Sequence, residues 1–161
     1  MSETPDPEFY ISVDTQDVDK FANILHIAMK NQGRIGLKLK PETLWLFSNR
    51  ESFVRKALKK ISIFMDCKIH DTPNQAAERM EMLLEQDINI TAINLMAMGG
   101  AEMINACSEK LYKIGYKGDL LAVTIPTTMD EDDIAEIGLT DSVAENVKRL
   151  AVLASENGCT G

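Results

Sequence analysis

The feature that most constrains the fold of this chain is a rhythm. Short apolar runs begin near residues 9, 34, 62, 89 and 119, and a segment with helical spacing follows each. A strand-then-helix unit that repeats every 25 to 30 residues or so calls for a parallel sheet, because parallel neighbours need a crossover that carries the chain back. Residues 9–13, 34–39, 61–65, 88–95 and 119–125 read as strands. Residues 17–29, 51–60, 75–85, 101–112, 130–137 and 141–157 read as helices. The first helix carries Phe21, Ile24, Leu25, Ile27 and Ala28 on one face, and the last carries Val143, Val147, Leu150, Ala151 and Ala154. Pro41 interrupts the second strand, and Asn157-Gly158 ends the last helix.

Two parallel architectures compete. No Gly-x-Gly-x-x-Gly follows the first strand, so a doubly wound dinucleotide-binding fold has little support. The spacing suits a (β/α)8 barrel, which normally needs about 250 residues. With 161 residues there is room for about five units. The expectation is an α/β fold: a partial (β/α)8 TIM barrel of about five βα units, lacking the last three strands. Residues 1–8 read as a flexible N-terminal tail and 9–161 as the incomplete barrel domain. A sixth strand is due at Cys159-Thr160-Gly161. The chain therefore reads either as a piece of a barrel or as a natural partial barrel with two sheet edges to cover.

Composition narrows the function classes. A formal charge of −8 argues against a nucleic-acid polymer as partner, which needs concentrated Lys and Arg, but leaves room for a small anion beside a local lysine. The three cysteines, Cys67, Cys107 and Cys159, are odd in number and widely spaced, which suits reduced thiols in a cytoplasmic protein. No apolar run approaches the eighteen or so residues that span a membrane. The acidic, polar start is unlike a secretion signal.

In βα folds chemistry collects at the C-terminal ends of strands. Asp14, Lys38, Asp66 with Lys68, Asn94 with Met96, and Thr127 with Thr128 fall there. Taken singly, Asp14 and Lys38 read first as solvated surface charges. The run Asp66-Cys67-Lys68-Ile69-His70-Asp71-Thr72-Pro73-Asn74 is different, because it crowds three ionisable groups and a specific turn onto one strand end. Asp66 and Lys68 are two residues apart, so an extended strand can point them to one face, where each favours the other's charged form. His70 reads as structural. A metal site has little support, since Lys68 would compete with the cation. Gly99-Gly100 permits a tight turn or offers amides to a ligand. Trp45 reads as packing rather than cofactor binding.

Asp66-x-Lys68-x-His70-Asp71-x-Pro73-Asn74 resembles the signature of the orotidine 5′-phosphate decarboxylases. Ser12-Val13-Asp14, Leu37-Lys38-Leu39 and residues 94–100, 122–129 and 157–161 are similar, in order, to that family's other strand ends. The resemblance covers the chain after the tail and the first two-thirds of the family's domain. It implies decarboxylation of orotidine 5′-monophosphate to uridine 5′-monophosphate in pyrimidine biosynthesis, with neither metal nor organic cofactor. It implies that Lys38, Asp66, Lys68 and Asp71 are an alternating charge network, with Asp71 reaching into the partner subunit's site of a homodimer. Asp14 would touch the ribose and Thr127 the base. Gln75 stands where the family has a threonine that reaches the substrate across the dimer. Lys40, Met96 and Thr72 stand where it has glycine, histidine and isoleucine. The phosphate of such barrels is commonly held after strands seven and eight, so a 161-residue chain is expected to be weak or inactive alone. The alternative is a non-catalytic partial barrel that binds a nucleotide or a protein partner. A sugar-phosphate lyase is a further reading, against which His70-Asp71-x-Pro73-Asn74 argues.

Overall fold

A computed structural model describes residues 7, 9–48 and 52–161. Of the expected tail only Pro7 lies among them. The described strands are β1 (Phe9–Ser12), β2 (Ile35–Leu39), β3 (Ile63–Ile69), β4 (Ile90–Met96) and β5 (Asp119–Val123). The helices are α1 (Val18–Lys30), α2 (Pro41–Ser48), α3 (Ser52–Leu58), α4 (Pro73–Leu84), α5 (Gly100–Lys113), α6 (Glu131–Glu136) and α7 (Val143–Glu156). The predicted start of the 51–60 helix falls on a residue outside those described.

The strands are parallel and follow the order β1-β2-β3-β4-β5, each beside its sequence neighbour. Phe9 stands opposite Ile35, and Lys38 opposite Phe64. This sequential order is that of a (β/α)8 barrel wall; a doubly wound sheet reverses direction at a switch point. The residues fall into two compact units, one of 1–67 with 82–93 and one of 68–81 with 94–161.

In the first unit the buried residues include Leu37 and Leu39 of β2, Ile63 and Met65 of β3, and Phe21, Leu25 and Ala28 of α1. The α1 stripe is narrower than its sequence suggested, because Ile27 is exposed. Asp17 caps α1 by accepting from the N–H groups of Asp19 and Lys20 at 2.9 and 3.1 Å. Helix α2 is not in the sequence reading. Pro41 both ends β2 and opens this helix, a first position where its missing N–H removes no bond. Leu44 and Phe47 are buried, and Phe47 stacks on Phe21 with ring centroids 4.0 Å apart. Trp45, expected to pack, is 73% exposed. Gly36 is required by close approach: a Cβ there would lie 2.5 Å from the Tyr10 ring and 2.8 Å from the Ser62 carbonyl. The Tyr10 ring meets Phe64 edge-on.

In the second unit, Ala76, Ala77 and Met80 of α4 and Met103, Ile104, Cys107 and Leu111 of α5 are buried. Gly100 enters α5 at φ +82°, a conformation that favours glycine. β5 ends two residues before the predicted 125. Thr160 donates to the Leu120 carbonyl and Ala122 donates to the Gly161 carbonyl, both at 2.8 Å. These bonds lay residues 160–161 beside β5, at the point where the rhythm calls for a sixth strand.

Candidate active site

The first unit contributes two ion pairs. β1 and β2 run in register with Ser12 opposite Lys38. Two residues further along each chain, Lys40 Nζ lies 2.7 Å from Asp14 Oδ1. The Ser12 hydroxyl donates to Asp14 Oδ2 at 2.9 Å. Asp14 therefore has both carboxylate oxygens engaged. Its carboxyl is held below the ordinary carboxylate range, first by the Lys40 hydrogen bond and then by that of Ser12. The same contact raises Lys40 above the usual lysine range.

The second pair joins β2 to β3. Lys38 Nζ lies 3.5 Å from Asp66 Oδ2. The Asp66 side chain is only 7% exposed, against 35% for Lys38. Burying a carboxylate is costly unless a cation or hydrogen-bond donors attend it. The charge on Lys38 also acts on Asp14, and that on Asp66 acts on Lys40. Asp14, Lys40, Lys38 and Asp66 are thus one electrostatic group. Asp66 and Lys68 lie within β3 rather than on its end, because that strand runs to Ile69 instead of stopping at 65.

The second unit holds the other expected residues. Lys68 has φ +44°, rare for a side chain with a Cβ. Its N–H donates to Asn94 Oδ1 at 2.7 Å, and Asn94 is buried on β4. Strand alternation assumes extended backbone, so it does not fix the direction of Lys68. Asp71 accepts from the Thr72 N–H at 2.8 Å through Oδ1. Its Oδ2 lies 3.2 Å from Arg79 on α4. Gln75 is exposed in the first turn of α4 and donates to Glu78 at 3.3 Å. Thr127 is exposed in the turn after β5, where Met129 N–H donates to the Pro126 carbonyl at 3.0 Å.

Sequence reasoning missed the parts played by Lys40, Asn94 and Arg79. The signal for Asn94 was an amide inside an apolar strand, since a buried amide nearly always serves a partner. Among the described residues no group of three or more His, Cys, Asp or Glu is placed to hold a metal ion. Among them, too, no helix is long and apolar enough to cross a membrane.

Comparison with known proteins follows the same lines. Residues 8–161 match the model of the orotidine 5′-phosphate decarboxylase / HUMPS family. The chain is 34% identical over 163 residues to the orotidine 5′-phosphate decarboxylase of Psychromonas ingrahamii, covering 100% of this chain and 67% of that protein. It is 30% identical over 156 residues to the enzyme of the same name from Idiomarina loihiensis, covering 96% of this chain and 65% of that one. The solved structure of orotidine 5′-phosphate decarboxylase from Lactobacillus acidophilus superposes with a TM-score of 0.75 at 25% identity, over 98% of this chain and 69% of its own. The chain thus spans about two-thirds of the length of these relatives.

Proposed function

Since this chain belongs to the orotidine 5′-phosphate decarboxylase / HUMPS family, we propose that it serves the decarboxylation of orotidine 5′-monophosphate to uridine 5′-monophosphate, as a homodimer and without metal or organic cofactor. The observation that carries this reading is the buried Asp66 carboxylate with Lys38 at 3.5 Å, on a strand that also bears Lys68. Family membership favours an enzyme over the non-catalytic partial barrel.

The chemistry asks for what these residues supply. When the bond to the carboxylate breaks, carbon dioxide leaves and an electron pair stays on the ring carbon. An ammonium beside that carbon stabilises the developing charge and then gives it a proton. Lys68 takes this role. Asp66 stands near the departing carboxylate, Lys38 holds Asp66, and Asp71 acts from the partner subunit. Asp14 accepts from the ribose, while Thr127 and Gln75 contact the nucleotide.

The test is single-turnover decarboxylation of orotidine 5′-monophosphate at high protein concentration, followed by loss of substrate absorbance. A slow rate is expected from a chain that spans about two-thirds of its relatives' length, because binding energy from a remote phosphate is used at the reacting centre. Lys68→Ala should lower that rate about a hundredfold or more. Equal rates in the two proteins would reject the reading.

A further inference from the structure

Lys40 stands against the preferences of its own helix. It immediately precedes α2, and its carbonyl accepts the Leu44 N–H at 3.0 Å. Ser, Thr, Asp and Asn are favoured at that place, and a cation there opposes the helix dipole. Glu42 in the first turn of α2 offsets its charge only as a minor contribution, and a residue that breaks a local rule is a candidate for a purpose outside its own element. Its largest compensation comes from the segment that follows β1, through the 2.7 Å contact with Asp14.

We propose that Lys40 is a positioning residue for nucleotide recognition: it holds Asp14 as an oriented acceptor for a ribose hydroxyl and cancels its charge beside the bound anion. The inference rests on the reading above that the site takes a pyrimidine nucleotide. Lys40 engages Oδ1 and Ser12 engages Oδ2. Each carboxylate oxygen has a second lone-pair site, so a sugar hydroxyl can bind without displacing either donor. The pairs Asp14 with Lys40 and Lys38 with Asp66 sum to zero charge. Removing the Lys40 ammonium leaves one negative charge facing an anionic ligand. Both members of the pair are more than half exposed, so the effect is screened and modest.

Two measurements on the 161-residue chain test this. Carbon-detected NMR titration of the Asp14 carboxyl should show a midpoint below that of an ordinary aspartate, and that midpoint should rise in Lys40→Met. Calorimetric titration with uridine 5′-monophosphate should show Lys40→Met binding about three- to fivefold more weakly than wild type. Uridine, which lacks the phosphate, should lose less, and added salt should narrow the difference. Lys40→Arg, which keeps the charge, should retain most of the affinity. An Asp14 midpoint that does not move, or equal nucleotide affinity in wild type and Lys40→Met, overturns the inference alone. A wild-type chain that binds no uridine 5′-monophosphate overturns the nucleotide reading and this inference with it.

Discussion

At the scale of single residues, the densest information lies in Lys68. Its positive φ costs a side chain with a Cβ about 1 kcal/mol or more, whereas glycine adopts it freely. Lys68→Gly is therefore expected to be more stable than Lys68→Ala by about 1 kcal/mol in urea unfolding, a reversal of the usual order in a strand. Equal stabilities would mean that the backbone is not held in this conformation. Asn94 accepts from the Lys68 N–H at 2.7 Å. Replacing it with leucine of similar size should lower stability by about 1–3 kcal/mol, since that N–H loses its acceptor. Stability within about 0.5 kcal/mol of wild type would show that the bond contributes little. The charges of this region were legible because they are dense and because strand ends are where βα folds keep chemistry. The backbone twist at Lys68 was not, since lysine signals no preference for it. Its amide partner is 26 residues away, beyond the reach of any local pattern.

Elements were legible where apolar spacing was regular and where chemistry at the ends did not depend on neighbours. All five strands and most helices fall where the rhythm puts them. α2 escaped because its proline read as a stop, although the same residue is well suited to a first turn. α7 was located, but not its inner face. Of the expected stripe, Ala154 is buried and Ala151 is exposed, while the polar Asn146 is fully buried. Its amide donates to the carbonyls of Asp141 and Ser142 at 2.8 and 3.0 Å, which explains why a polar residue holds a place that periodicity gives to an apolar one. Ser142 and Glu145 close a reciprocal capping box over the same turn. Ser142→Ala should cost about 1 kcal/mol in urea unfolding, with the loss concentrated in hydrogen-exchange protection of the first turn of α7. Unchanged protection there would show that the start of the helix does not depend on the cap.

At the scale of the whole molecule the chain is woven rather than cut. Its two units exchange chain at 67/68, 81/82 and 93/94, and those points fall inside β3, α4 and β4. The expected charge residues divide accordingly, with Asp14, Lys38 and Asp66 in one unit and Lys68, Asp71, Gln75 and Thr127 in the other. Asp71 raises a further question of scale, because its proposed task lies in a second copy of the chain. Within its own chain it is held by the Thr72 N–H just before α4 and by Arg79 in the middle of that helix, so these two contacts set its position. If Asp71 acts across a dimer, a subunit lacking Lys68 and a subunit lacking Asp71 can complement each other. Random pairing of Lys68→Ala with Asp71→Ala makes half of the dimers mixed. Each mixed dimer then has one site with neither substitution, so about a quarter of all sites become complete. The single-turnover rate of the re-paired mixture should approach about a quarter of the wild-type rate, while each variant alone stays near background. Mixed dimers can be verified by mass spectrometry with one variant isotopically labelled. Verified mixed dimers with no recovered rate would place Asp71 in the service of its own chain, since a site served from within one subunit lacks one of the two residues in every pairing.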